Sequence, residues 1–211
     1  MDIHPVTLAG RYVRLEPLSL DHVSGLWAVG NEPEIWTYMP YGPIDSLDRM
    51  REWVELMLNW QAQRANLPFA VIDLASGRPA GATRYMTIDC PNRSLEIGGS
   101  WYGKAYRRTA ANTESKYLLL RHAFETLGCI RVQIRTDVRN ERSQHAIERL
   151  GAVREAVFRK YSIMPNGHQR TSVFYSIVDD EWPGVRARLE SLLLTDGTDT
   201  RTGAQAPVLN E

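Results

Sequence analysis

The residues best placed to do chemistry lie in one run, Trp101 to Lys116 (WYGKAYRRTAANTESK), in which a strand passes through a basic loop of small residues into a helix. A helix start presents backbone N–H groups that have no intrahelical acceptor, so it favours an anion. Arg107, Arg108, Ala110 and Asn112 could wrap a phosphate there. The competing reading is an ordinary solvated connection. The loop has neither Gly-x-Gly-x-x-Gly nor a Lys-Ser/Thr end, which disfavours a nucleotide-binding module.

The elements that must position this loop follow from hydrophobic period. Ser94–Tyr102 is the strand that feeds it, and Thr113–Leu127, free of Pro and Gly, is the amphipathic helix that leaves it. Upstream, Tyr12–Leu18 alternates as a strand and Ser19–Gly30 follows as a short helix. Asn31–Pro43 is irregular, carrying Trp36, Tyr38 and Tyr41 among its prolines, and suits a loop near a ligand or rings packed over the core. From Asp45 or Ser46 a long helix runs to about Ala65, with Met50, Trp53, Val54, Met57, Leu58 and Gln61 tracing its inward stripe. Phe69–Leu74 and Arg78–Ile88 form a hairpin across Ala75–Gly77.

After the loop and its helix, the strand Ile130–Thr136 alternates apolar residues with Arg131, Gln133 and Arg135, so one of its faces is wet or bound. A helix over Asn140–Leu150 is closed by Gly151. Strands Ala152–Tyr161 and Arg170–Ile177 flank the turn Pro165–Gly167, and Asp179–Leu194 is the last helix. This order is a mixed α/β fold of about seven strands, not the strict alternation of a doubly wound sheet. One domain over residues 1–194 is expected, with 195–211 as a polar, disordered tail.

Composition narrows the function. Acidic and basic residues balance at 25 each, which argues against a partner held by broad electrostatics, such as bulk nucleic acid. No apolar run approaches the roughly 20 residues of a membrane span, and Met1–Val6 has no export signature, so no membrane and a cytoplasmic location are expected. Cys90 and Cys129 form no metal-ligand pair, and the five histidines are scattered singly, so no metal is expected.

Three separated cues share an order and spacing: Glu96-Ile-Gly98 with the basic loop, Asn140-Glu-Arg-Ser143, and Glu148-Arg-Leu-Gly-Ala152. With them the chain, over roughly Leu8–Leu194, resembles the GNAT superfamily of acyl-CoA-dependent N-acyltransferases, and within it the RimJ/RimL-like branch. The resemblance implies a mostly antiparallel sheet flanked by helices and splayed between its fourth and fifth strands. It implies acetyl-CoA as co-substrate, held by Trp101, Tyr102, Arg107, Arg108, Thr109, Ala110, Ala111, Asn112, Thr113 and Asn140. Arg107 matches the first position of the family's loop motif. Ala110 stands where Gly is usual and Asn112 where Gly or Ala is usual; Asn tolerates positive φ and can cap the helix. Asn140 would bond the pantetheine arm, or else cap the following helix. The Tyr often found seven residues later is Ile147 here, which leaves Ser143 as the candidate donor to the leaving thiolate, or as a plain helix-turn serine. The branch is frequently dimeric, so a homodimer is possible.

Direct acetyl transfer to an amine needs a base, because a substrate ammonium has a pKa of about 8 to 10. Glu96 is the candidate base if it points into the cleft; the alternative is a surface glutamate paired with Arg84 or Arg135. Direct transfer gives neither cysteine a nucleophilic role. The acceptor, a peptide or small-molecule amine, would meet Tyr38, Tyr41 and Arg84, the long helix and the 161–170 hairpin. A non-catalytic acyl-CoA-binding domain of the same fold is the alternative function.

Overall fold

The computed structural model describes residues 1–196. Strand β1 (Leu8–Ala9) pairs with β2 (Val13–Pro17); at two residues it is too short to show alternation in the sequence. The expected helix Ser19–Gly30 is divided into a 3₁₀ turn, Leu20–His22, and α1 (Val23–Gly30). The Ser19 N–H donates to His22 Nδ1 at 3.0 Å and shapes that turn. Within the segment expected to be irregular, Pro33 starts a single turn, α2 (Pro33–Trp36).

Ser46 caps α3 (Leu47–Ala62), its hydroxyl accepting from the Arg49 N–H at 3.2 Å. Met50, Trp53, Val54 and Met57 form its buried stripe, as the period requires. The hairpin is β3 (Asn66–Asp73) and β4 (Arg78–Asp89), and β5 (Ser94–Tyr102) adds to it. β3 begins before Phe69 because Asn66, Leu67 and Pro68 pair with β4, and the missing N–H of Pro68 falls on the β2 side beyond the last registered pair, Pro17↔Phe69.

Helix α4 (Ala110–Arg121) runs on into a π turn, His122–Thr126. Then come β6 (Arg131–Asp137), α5 (Glu141–Leu150), β7 (Val153–Ile163), β8 (Gln169–Val178) and α6 (Trp182–Asp196). Thr195 and Asp196 thus continue α6, whereas the rest of the expected tail lies outside the described residues.

The eight strands make one sheet in the order β1-β2-β3-β4-β5-β6-β8-β7, antiparallel except between β5 and β6. That parallel pair is registered only from Ser94↔Arg131 to Glu96↔Gln133. Beyond Glu96, β5 continues beside β4 alone and parts from β6, which stays paired with β8 along its whole length; this is the expected splay. One sheet face is apolar, with Phe69, Val71, Tyr85, Ile97 and Val132 packed with Leu118 and Leu119 of α4 and Leu189 of α6. The other holds Ala70, Ile72, Ala82 and Trp101 with Met50, Trp53 and Met57 of α3. It turns polar toward β6 and β8.

Candidate active site

The loop after β5 is more tightly built than its composition suggests. A 3₁₀ turn, Lys104–Tyr106, leads to Arg107 in extended conformation and Arg108 at φ 61°. Thr109 is the cap of α4: its hydroxyl donates to the Tyr106 carbonyl at 2.8 Å and accepts from the Ala111 N–H at 3.2 Å. The helix therefore begins at Ala110, not at Thr113: Thr109 has extended backbone and makes both cap bonds, while Asn112 already lies inside the first turn. Ala110, Ala111, Asn112 and Thr113 form its first turn, and the left-handed residue is Arg108, not Asn112. First-turn N–H groups have no partner four residues back, so this helix head can receive a phosphate.

Arg107 turns away from the helix head. Its guanidinium lies 3.2 Å from Glu32, and its Nε donates to the Tyr102 carbonyl at 3.3 Å, so it braces the loop against the turn before α2. Lys104 and Arg108 are the exposed cations of the loop. Trp101 is buried on the α3 face, with ring centroids 5.2 Å from Trp36 and 5.9 Å from Trp53. Its side chain therefore belongs to the core and only its backbone can meet a ligand. The Tyr102 hydroxyl is buried too, and burial drives its pKa well up.

At the far side of the splay, Asn140 caps α5, its Oδ1 accepting from the Ser143 N–H at 3.1 Å. The capping role is thus realised, and Ser143 is a half-buried residue of the first turn. Ile147 is a core residue.

Glu96 stands where β5 and β6 part, since Glu96↔Gln133 is their last registered pair. It is 1% exposed. Arg135 Nε lies 3.0 Å from its Oε1, while Gln133 and Thr87 donate to Oε2 at 3.2 and 3.4 Å. The carboxylate is buried, so it is not the surface glutamate of the alternative reading, although its partner is Arg135, one of the two that reading named. Burial raises its pKa, outweighing the opposing pull of Arg135, Gln133, Thr87 and Arg84.

Arg84 shares this face, on β4 opposite Gly98. It is 5% exposed and has no carboxylate partner within ion-pair distance among the described residues. Its guanidinium lies 5.7 Å from the Tyr41 ring centroid and 5.1 Å from that of Trp60, one N–H reaches the Met57 sulfur, and Nε has no acceptor. Burial raises the Tyr41 pKa, against the nearby Arg84 charge. Further along, Arg139 grips buried Asp137 at 3.1 and 3.0 Å, and Arg170 lies 4.0 Å from the same carboxylate. Burial works to raise the Asp137 pKa, but Arg139 and Arg170 hold it below its ordinary value. Tyr38 joins this group: its ring stacks on Arg139 at 5.7 Å and its carbonyl accepts from Arg170 at 3.3 Å.

The irregular segment and the β7–β8 turn do face each other across a cavity of about 330 Å³ lined by Trp36, Met39, Pro43, Arg139, Met164 and Asn166. The sequence reading named Gln133 and the 161–170 hairpin that ends at Arg170 without giving either residue a role, and it assigned none to Asp137, Trp60 or Lys116. For Gln133 and Arg135 the alternation of β6 was the available signal and for Arg170 its place in the hairpin; for Asp137, Trp60 and Lys116 there was none. Lys116, on α4, is buried behind β5, its Nζ 2.5 Å from Ser100 Oγ, which is 2.7 Å from Thr83 Oγ1. Burial pulls the Lys116 pKa down to about 7. Cys90 is exposed and Cys129 buried, both as thiols, and burial raises Cys129 to about 11. Among the described residues no three His, Cys, Asp or Glu gather as metal ligands, and no helix is long and apolar enough to cross a membrane.

The family model of the acetyltransferase (GNAT) domain matches residues 13–153, which hold β2 through the start of β7 and with them the splay, the basic loop and Glu96. The chain belongs to the GNAT acetyltransferases. Among its relatives is YdaF of Bacillus subtilis (strain 168), provisionally named a ribosomal N-acetyltransferase, 30% identical over 173 residues that cover 81% of this chain and 91% of that one. Among solved structures, a GCN5-related N-acetyltransferase from Brucella melitensis is 31% identical with a TM-score of 0.85, covering 90% of this chain and 86% of its own. The microcin C7 self-immunity acetyltransferase MccE, solved with acetyl-CoA and AMP, shares the fold at 20% identity and a TM-score of 0.71, over 80% of this chain and 93% of its own.

Proposed function

We propose that this GNAT protein is a cytoplasmic N-acetyltransferase of the RimJ/RimL-like kind that moves the acetyl group of acetyl-CoA directly to a primary amine: a protein N-terminus, an amino acid or another small amine. The observation that carries the reading is the position of Glu96, a buried carboxylate of raised pKa at the point where β5 leaves β6. The head of α4 fits the co-substrate: its first-turn N–H groups and exposed Arg108 suit a pyrophosphate, and the unpaired edge of β5 beyond Glu96 suits an extended amide-bearing arm. When bound, acetyl-CoA supplies an activated acyl group as its thioester.

Glu96 takes the proton that the acceptor ammonium must lose, directly or through a water, and Arg135 fixes the carboxylate for that task. Backbone N–H groups of Ser100–Tyr102 on the unpaired edge orient the acyl oxygen. Ser143, at the head of α5, returns a proton to the departing sulfur. Neither cysteine takes part. Tyr38, Tyr41 and Arg84 line the acceptor side. The exposed apolar residues of the edge strand β7, with Phe158 at 50% and Ile163 at 77% exposure, support a homodimer.

Thiol release from acetyl-CoA in the presence of an amine panel tests the reading. Turnover with at least one amine is expected. Saturable binding of CoA with no turnover on any amine would replace it by a non-catalytic acyl-CoA-binding domain.

A further inference from the structure

The acceptor face carries more positive charge than its own carboxylates balance. Among the described residues, Arg84, Arg135, Arg139 and Arg170 have only two carboxylates within ion-pair distance, Glu96 and Asp137. Arg135 is committed to Glu96 and Arg139 to Asp137. Arg170 also lies 4.0 Å from Asp137 and donates to the Tyr38 carbonyl, so Arg84 is left, with a buried Nε that has no acceptor.

A guanidinium cannot shed its proton to escape burial, so it must find counter-charge or polarisable surface. Arg84 has the rings of Tyr41 and Trp60 and the sulfur of Met57. It also lies against the backbone at the splay: a Cβ on Gly99, which stands at φ 57°, would come within 3.1 Å of its Nε. The bare glycine therefore leaves the Nε edge of the guanidinium facing the place where β5 and β6 separate. A face of this charge repels polyamines and other polycations.

The register fixes the scale of what would fit. Arg84 pairs with Gly98 and Met86 with Glu96, so Arg84 and Glu96 are diagonal neighbours on one sheet face, with backbones about 7–8 Å apart. An amine delivered to Glu96 and an anion held by Arg84 then belong to one small group.

We propose that the acceptor is an amine carrying an oxyanion, a carboxylate or a phosphate monoester, within a few bonds of its nitrogen, and that Arg84 binds that oxyanion. The proposal rests on the acetyltransferase reading of the same cleft and narrows its substrate class. Arg84 is a specificity residue in this scheme and takes no part in proton transfer.

The test compares each common amino acid with its own carboxamide, and O-phosphoethanolamine with ethanolamine, by thiol release from acetyl-CoA. The amide has the less basic amine and more of it is neutral at a given pH, so amine ionisation alone would favour the amide. At least one acid is expected to exceed its neutral partner by 10-fold or more in kcat/KM, and the pair that does so tells carboxylate from phosphate. Arg84→Met should collapse that ratio toward one, chiefly through KM. Equal or faster turnover of the neutral partners overturns the proposal and leaves the acetyltransferase reading standing.

If no amine is turned over, that reading fails by itself. The oxyanion site is then judged by binding, with Trp60 fluorescence as reporter and the N-acetylated amino acids against their carboxamides as probes. Tighter binding of the acids supports the site, and equal binding removes it. Should Arg84→Met fail to fold, the ratio in the unaltered protein decides alone.

Discussion

Two buried cations, Lys116 and Arg84, lie on opposite faces of the sheet close to the same strand, and they meet burial in different ways. Lys116 packs between α4 and β5 with a serine hydroxyl as its partner, and its pKa falls to about 7, so it can shed its proton near neutral pH. Arg84 has no such escape and keeps its charge among aromatic rings and a thioether. A third buried charge, Glu114, is fully satisfied: its carboxylate accepts from the N–H groups of Arg11, Tyr12 and Val13 at 2.7, 2.6 and 2.7 Å. Glu114 ties α4 to the first strands, Lys116 can shed its proton, and only Arg84 retains an unanswered charge. The α4 face thus resolves its charges internally, whereas the α3 face leaves one for a ligand.

The largest expected effect tests the catalytic side of that contrast. Glu96→Gln should lower kcat/KM by about 10²- to 10⁴-fold, the usual worth of a positioned base. In the unaltered enzyme kcat/KM should climb with pH through the raised pKa of Glu96, because the base must be ionised; the variant should lack that limb. A pH–rate profile unchanged in shape would remove Glu96 as base.

Glu114→Ala should cost about 3–5 kcal/mol of unfolding free energy in urea, since three backbone donors lose one charged acceptor together. A loss below about 1 kcal/mol would mean that water satisfies those donors and that the α4 face is less closed than described.

Arg84→Lys sharpens the comparison directly. A lysine in the aromatic cage would be able to shed its proton on burial, as Lys116 is, and it lacks the guanidinium fork, so KM for an anionic acceptor should rise about 10- to 100-fold with kcat far less affected. Full retention of KM would show that any cation serves there.

The smallest effect concerns Lys116. Its pKa is about 7 in the folded protein against 10.5 ordinarily, so between those values the unfolded chain holds a proton that the folded chain does not. Stability therefore rises with pH through that window, and the penalty of burial is complete below about pH 7. Lys116→Met should gain about 1–2 kcal/mol near pH 6 and progressively less toward pH 10. A gain that does not change with pH would place the cost in packing, not in charge.

Much of the frame was legible in the residues. The stripe Met50, Trp53, Val54 and Met57, the hairpin across Ala75–Gly77 and the strand before the basic loop follow from period and turn chemistry, which act over a few residues. Two residues of capping type blurred the helix start: Thr109 makes the cap bonds, while Asn112 lies inside the first turn. Arg107 shows the other kind of limit. Its basic loop suggested an anion, but its partner Glu32 is remote in sequence and no spacing rule connects them.

By itself, then, the sequence determined the order of strands and helices, the basic turn at a helix head and the presence of a glutamate two residues before Gly98, because those depend on neighbours along the chain. Which charges would be answered was decided only by the tertiary structure. The same burial that raises the pKa of Glu96 and lowers that of Lys116 leaves Arg84 charged, and the outcome for each depends on residues that the fold brings in from α3, β4, β5 and β6. Desolvation and partnering are properties of the packed surroundings, and no stretch of sequence carries them alone.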